Sequence, residues 1–296
     1  MTTGISQPET FGLPVNQDIA FTSHKGKFKE RLKKQQLRTL EAYAPLLKQF
    51  LEPGEEILLA MRGCSPMTFL EQITTGWIIY LLKRCTLVVT NRRILHFPSK
   101  TNFAPKDSIA QIRYGDVEDI KAHVFLGRKF TVKYKSAAAE TFLYVRQSAK
   151  LKSILQTLPM KVHQPTLIRG RHHLCPRCNA PLAPGVYTCA KCSLEFKNEK
   201  KAKWLSLLLP GGGYFYAGHP FLGIGDAIGE AVLLIIVILS IKNILFGTAD
   251  PVNNLMLLGI FGALLVIEKL FTIYHARHYV REYIPLEKDF QALKKE

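Results

Sequence analysis

Four of the chain's six cysteines stand in two close pairs, Cys175-Pro-Arg-Cys178 and Cys189-Ala-Lys-Cys192, with ten residues between the pairs. Two residues between cysteines let a tight turn aim both sulfurs at one ion, and a second such turn completes a tetrahedron. Zinc is the ion expected at Cys175, Cys178, Cys189 and Cys192. Iron in a four-thiolate site and a redox dithiol are the alternatives, although one pair would suffice for redox work and no βαβ pattern surrounds either. With every position taken by a thiolate there is no opening for substrate, so the zinc is expected to be structural. His172 and His173, just upstream, could replace a ligand, but with four thiolates at hand they read as surface residues. Cys64 and Cys85 read as core thiols. Six cysteines in 296 residues are too few for a disulfide scaffold, and tight pairs in a reducing compartment point to metal.

A second group of chemically able residues lies in the apolar carboxy-terminal part. Asp226, Glu230, Glu268 and Lys269 interrupt stretches otherwise nearly free of polar side chains, and charge in such a setting is paired or functional. Glu230 and Lys269 would stand at similar depth in an antiparallel hairpin and are expected to face each other as a structural pair. Snorkelling to the interface, and an ion or proton path through Asp226, His219, Glu230 and Glu268, are the other readings. Asp226 and Glu230, at i and i+4, otherwise read as an entry-turn feature favoured by the helix dipole. No nucleophile and base stand at interpretable spacing, and Gly211-Gly212-Gly213 is not followed by the Gly-Lys-Ser/Thr of a phosphate loop. Enzymatic activity is therefore not expected.

The third group is basic. Lys and Arg number 40 against 23 Asp and Glu, yet from Trp204 onward 7 basic residues meet 8 acidic ones, so the excess belongs to residues 1–203. Its densest part is Lys25, Lys27, Lys29, Arg31, Lys33, Lys34 and Arg38, on a basic amphipathic helix expected over residues 24–51. These are candidate contacts for anionic lipid, with a solvated face and nucleic acid as the alternatives. Phe28, Leu32, Leu40, Leu47 and Leu51 supply the apolar stripe, and Pro45 could break the helix.

The elements that must hold these groups follow from composition and period. A hydrophobic content of 47% excludes a wholly disordered chain. Residues 1–23 lack periodicity and read as a flexible leader, with neither the basic nor the apolar region of a secretory signal. Short strands are expected at 56–62, 85–90, 93–97, 109–114, 117–124, 129–135 and 141–146, followed by a helix over 148–158. A small curved sheet or partial barrel closed by that helix is the expected fold. The stretches LEPGEEILLAMRG, LVVTNRRILHF and IAQIRYGDVEDIKA, in this order before a hairpin and a final helix, resemble the bacterial pleckstrin-homology-like (GRAM-related) domain over residues 52–160. That resemblance implies lipid or protein binding. The apolar insertion MTFLEQITTGWIIYLLK, residues 67–83, is longer than a simple strand connection. It either packs on the domain or lets Trp77, Ile78, Ile79, Tyr80 and Leu81 touch a bilayer.

Residues 161–174 read as a linker. The stretch CPRCNAPLAPGVYTCAKCSLEFK, within residues 175–198, resembles a zinc ribbon, with Tyr187 and Phe196 as its aromatic packing. Ribbons bind nucleic acid, bind protein or stiffen a linker. Arg169, Arg171, Arg177, Lys191 and Lys197 would serve the first of these. Residues 199–227 read as an interfacial or re-entrant segment, with Trp204, Tyr214 and Tyr216 at headgroup depth. Two apolar runs, 228–247 and 255–274, are each twenty residues long, enough to cross a hydrocarbon core of about 30 Å. The linker 248–254 carries no Lys or Arg, whereas Lys197, Lys200, Lys201 and Lys203 precede the hairpin and Arg277, Arg281 and Lys288 follow it. Both ends, including the tail 276–296, are thus expected on the cytoplasmic side of the cell's inner (plasma) membrane. Phe215-Tyr216-Ala217-Gly218 with Gly223-Ile224 resembles the bacterial two-transmembrane family with a Phe-Tyr-x-Gly turn, without the Asp-Arg-Phe triplet of some members.

The expected fold class is a multidomain membrane protein: a mainly-β PH-like domain with a C-terminal helix, a small zinc ribbon and an α-helical transmembrane hairpin. The expected role is that of a membrane-anchored, non-enzymatic interaction or scaffold protein whose partners are membrane lipid and another protein. A small oligomeric channel or transport component, which would require a homo-oligomer, is one alternative. The other is contact with nucleic acid through the ribbon, disfavoured by the membrane anchor.

Overall fold

The computed structural model describes residues 10–123, 128–158, 170–247 and 251–286. The chain divides into two compact units, Met1–Pro184 with Cys189–Cys192, and Gly185–Thr188 with Ser193–Glu296.

In the first unit, a short helix α1 (Gln17–Ala20) and a long one, α2 (Glu30–Phe50), precede strand β1 (Ile57–Cys64). Two short helices, α3 (Phe69–Thr75) and α4 (Ile79–Leu82), lead to β2 (Arg84–Thr90), β3 (Arg93–Pro98), β4 (Ile109–Arg113), β5 (Val117–Ala122), β6 (Phe130–Tyr134) and β7 (Ala139–Phe142). Helix α5 (Ser148–Thr157) and a last strand β8 (His172–Leu174) follow. The strands form an antiparallel five-stranded sheet, β1-β2-β3-β4-β8, and an antiparallel three-stranded sheet, β5-β6-β7.

Alternating residues of the larger sheet feed two cores, which is why its strands read as nearly continuous apolar runs. Leu59, Leu87, Ile94 and Ile112 face Phe130, Val132 and Phe142 of the smaller sheet and Leu151 and Ile154 of α5. Their neighbours Ala60, Val88 and Leu95 face the other way, onto Leu40, Tyr43, Leu47 and Phe50 of α2. Helix α2 continues through Pro45. Its buried face includes Gln36, whose amide both donates to Ala60 O (2.7 Å) and accepts from Ala60 N (2.8 Å), standing in for a neighbouring strand at the edge of the sheet. Phe28, assigned to the apolar stripe, lies before the helix and is exposed.

Residues 10–23, read as a flexible leader, are packed. Ile57 exchanges backbone hydrogen bonds with Pro14 and Asn16, Leu13 joins the α2 core, and Ala20 and Phe21 are buried. Residues 1–9 lie outside the described residues. The linker reading is corrected in the same way for its end, because His172–Leu174 is the fifth strand of the larger sheet.

The turn between β2 and β3 explains the Thr90-Asn91-Arg92-Arg93 sequence. Arg93 is buried, and its guanidinium donates to both Glu55 carboxylate oxygens (3.0 and 2.8 Å), to Phe50 O (2.7 Å) and to Gln111. One side chain thereby ties the end of α2, the 52–55 turn, β3 and β4 together.

In the second unit, α6 (Glu199–Leu208) and α7 (Gly212–Ala217) precede two long helices, α8 (Pro220–Phe246) and α9 (Pro251–Val280). Helix α8 begins before its expected apolar run, and α9 extends past its run at both ends. The 199–227 segment is thus α6, α7 and the first two turns of α8. Glycine is required between α6 and α7: Gly211 has φ +67°, and a Cβ there would stand 2.1 Å from Gly223 O. At Gly213 a Cβ would meet Ser206 Oγ at 1.9 Å, so the glycine run serves close helix approach.

Candidate functional site

The first Cys-x-x-Cys turn is placed by β8. Antiparallel pairing of Ile109 with Leu174 puts Cys175 directly after the last strand of the sheet, and Leu174 is buried in the α2 core. From the end of α2, Gln49 Nε2 donates to Pro176 O (3.0 Å) and Arg177 O (3.1 Å), holding the turn itself. An ion pair and a hydrogen bond anchor the approach: Arg171 Nε to Glu140 Oε1 at 3.0 Å and His172 Nε2 with Asp116 Oδ2 at 2.9 Å. His172 is therefore a buried structural residue, not the surface residue its position suggested.

The ligand-capable atoms of Cys175, Cys178, Cys189 and Cys192 all lie within 4.8 Å of one another. Cys175 and Cys192 sulfurs are 3.5 Å apart and those of Cys178 and Cys189 3.6 Å. Four sulfurs bonded to one zinc at about 2.3 Å would stand about 3.8 Å apart, so the cluster fits such an ion. None of the six cysteines forms a disulfide. Backbone N–H groups turn inward as a thiolate needs: those of Arg177 and Cys178 serve Cys175, that of Ala180 serves Cys178, and those of Cys192 and Lys191 serve Cys189. Burial pushes the Cys175 thiol up. At Cys189 burial acts in the same sense but is outweighed by these donors and the neighbouring thiols, which hold the group at about 7. Cys64 is different: burial raises it to about 11, and it stays a core thiol.

Tyr187 and Phe196, the aromatic residues expected to pack a ribbon, belong to the second unit. Tyr187 stacks on Tyr283 at 5.6 Å and Phe196 meets the same ring edge-on at 5.7 Å. Tyr187 also donates to Glu199 Oε1 (3.0 Å), and Glu199 pairs with Arg277 and Arg281. These aromatic rings pack on Tyr283, three residues past the end of α9, a contact that the spacing around the cysteines does not suggest.

Helices α8 and α9, of 27 and 30 residues, are long and apolar enough to cross a membrane, and only 11% and 6% of their most apolar windows are buried. A core helix of a water-soluble protein would be largely buried instead. Between them Lys269 Nζ donates to Glu230 Oε2 at 2.6 Å and to Ser206 O at 2.9 Å. The carboxylates of Asp226, Glu230 and Glu268 lie within 4.8 Å of one another, and Thr272 Oγ1 lies 3.0 Å from Asp226 Oδ1 and 3.1 Å from Glu268 Oε1. His219 is not among the ligand-capable residues of this cluster.

Of the candidate lipid contacts, Lys25, Lys27, Lys29, Arg31, Lys34 and Arg38 are exposed and Lys33 is half-buried. They occupy the turn before α2 and its first turns.

Residues 51–159 match the family model of the bacterial PH domain.

PH-like domains are in general non-catalytic modules that mediate lipid or protein interaction, and no enzymatic family is indicated. No curated protein matches the chain. Among solved structures, the crystal structure of the C-terminal domain of an unknown protein from Leishmania infantum is similar at 18% identity, covering 40% of this chain and 90% of that one, with a TM-score of 0.26. A likeness of that size does not bear on fold.

The Thr68 and Glu71 pair escaped the reading of residues, although Thr-x-x-Glu before an apolar run is a helix-start signature. Thr68 Oγ1 accepts from Glu71 N (3.1 Å) while Glu71 Oε2 accepts from Thr68 N (2.7 Å), which starts α3 inside the insertion.

Proposed function

We propose that this chain is a membrane-anchored, non-enzymatic interaction protein, held at the inner face of the bilayer by α8 and α9 and presenting its PH-like module to the cytoplasm. The observation that carries this reading is the length and apolar composition of both helices, which leave nearly all of their apolar windows uncovered. Lys197, Lys200, Lys201 and Lys203 before the hairpin and Arg277 and Arg281 after it favour cytoplasmic placement of both ends. Zinc bound by Cys175, Cys178, Cys189 and Cys192 is structural and would supply folding free energy to a segment too small to build a core. The exposed basic residues from Lys25 to Arg38 lie against anionic headgroups.

The test is topological. A fluorescent reporter fused after Glu296 should be active in the cytoplasm of intact cells, an epitope inserted at Asp250 should be reached from outside, and the purified chain should need detergent. A reporter exported at Glu296, or a chain soluble without detergent, overturns the reading.

Three carboxylates against one lysine in an apolar hairpin favour a second reading, a small oligomeric transport component. Two helices cannot enclose a pore alone, so cross-linking in membranes that yields only monomers would dismiss it.

A further inference from the structure

Asp226 and Glu230 stand one turn apart on α8, and Glu268 and Thr272 one turn apart on α9. Pairing with Lys269 accounts for Glu230, but among the described residues neither Asp226 nor Glu268 has a salt-bridge partner. Three carboxylates against one ammonium leave two negative charges unmatched in an apolar hairpin, a setting where charge is paired or functional.

The hydrogen bonds show the same shortfall. Lys269 Nζ is turned to Glu230 Oε2 and to Ser206 O. The Thr272 hydroxyl carries a single proton, yet it lies 3.0 and 3.2 Å from the two Asp226 carboxylate oxygens and 3.1 Å from Glu268 Oε1. Glu230 is only 1% exposed, and its Oε1 is buried with no hydrogen-bond partner, as is Glu268 Oε2. A buried carboxylate oxygen left in this way is costly unless something positive meets it. The excess of negative charge is felt on α7 as well, where Tyr214 Oη stands 2.6 Å from His275 Nδ1. Burial first, and then Asp226, Tyr279, Glu268 and Glu230, hold the Tyr214 hydroxyl above the ordinary range.

The missing charge has a definite chemistry. Every donor in the cluster is oxygen, from three carboxylates and a hydroxyl, with neither imidazole nor thiolate among its ligand-capable residues. Oxygen sets of this kind suit hard cations. Two units of positive charge would balance the three carboxylates and Lys269. Two oxygens bonded to one calcium at about 2.4 Å stand at most about 4.8 Å apart, and the three carboxylates lie within 4.8 Å of one another. Asp226 and Glu268 are half-buried, which leaves an approach from outside the cluster. Two protons would balance the charge as well, but each joins only two oxygens, whereas one ion engages three carboxylates together.

We propose that Asp226, Glu230 and Glu268, with the Thr272 hydroxyl, form a site between α8 and α9 for one hard divalent cation of the calcium class. The inference rests on the anchored reading for the hydrocarbon around the hairpin, and it holds whether the chain is a monomer or an oligomer.

The full chain in nonionic detergent, freed of loosely held cations, would be titrated with Mn2+ followed by electron paramagnetic resonance, with Ca2+ and Mg2+ as competitors. One Mn2+ should bind per chain and be displaced by Ca2+, with zinc content followed to exclude exchange at the thiolates. Asp226→Asn and Glu268→Gln should each weaken binding by at least the roughly tenfold that loss of even an outer-shell partner costs. Where these variants fail to fold, the unaltered chain still decides: labelling of Asp226, Glu230 and Glu268 by dicyclohexylcarbodiimide, located by mass spectrometry, should be suppressed as Mn2+ is added. Absence of saturable Mn2+ binding, or binding that both substitutions leave unchanged, overturns the proposal. Labelling that follows pH and ignores Mn2+ does so too, assigning the cluster to protons. A chain soluble without detergent would end the anchored reading, and the same titration would still judge the site.

Discussion

The four thiols illustrate how far single residues can be pushed. Each Cys-x-x-Cys turn carries its own backbone donors, so the geometry that suits a thiolate is built locally and does not await the rest of the fold. One metal ion per chain is expected by elemental mass spectrometry, and X-ray absorption at the zinc edge should show four sulfur neighbours at about 2.3 Å. Cys189→Ser should cut the stoichiometry severely, and three sulfurs with full occupancy in that variant would argue against an all-thiolate site. A different residue-level balance operates at Glu55. Burial alone would raise its carboxyl, but the Arg93 guanidinium, the Glu52 backbone N–H and the Thr90 hydroxyl hold it below the ordinary range. The folded state then binds fewer protons than the unfolded one. The associated stability is complete above an unfolded value of about 4.3 and is lost as pH falls through the lower folded value. Glu55→Gln should flatten this acid limb in thermal melts of the detergent-solubilised chain. It should also cost about 3 kcal/mol at neutral pH, because Arg93 is left buried without its counter-charge. An unchanged acid limb would remove Glu55 from the account.

At the scale of elements, strands were legible where both faces are buried, since β2 and β3 are apolar and β-branched along their length and are separated by a two-residue turn. Helix α2 was legible by its period, but its first turn was placed too early because Phe28 is apolar without being covered. The packed segment from residue 10 to 23 was not legible: its anchors, Leu13 and Phe21, have no periodicity between them, and their burial depends on β1 and α2 being already in place. The same holds for His172–Leu174, three residues that become a strand only because β4 offers an open edge. The pairing of α8 and α9 supports a further expectation. Glu230 is 2% exposed at its side chain and faces Lys269. An unpaired charge at depth in a spanning helix costs about 3 kcal/mol. Glu230→Lys alone should therefore lower accumulation in the membrane fraction, and combining it with Lys269→Glu should restore it. If immunoblots of membranes show no restoration, the contact is incidental.

For the molecule as a whole, the reading that an anchored interaction module is at work depends on properties of unequal origin. Sulfur spacing, the length of apolar runs and the asymmetry of Lys and Arg around them are local. Turn geometry and rise per residue favour a four-thiol cluster and two helices suited to hydrocarbon from these stretches themselves, although β8 and Gln49 then fix where the first thiol turn sits. The coverage of particular side chains was another matter. The insertion between β1 and β2 stands out by its composition, but composition does not separate the outward face of Phe69, Leu70 and Ile73 from Ile79, which packs in the core as one of the two readings of the insertion had it. Which side chains are covered is settled by packing between segments far apart in the chain, and no spacing rule records it.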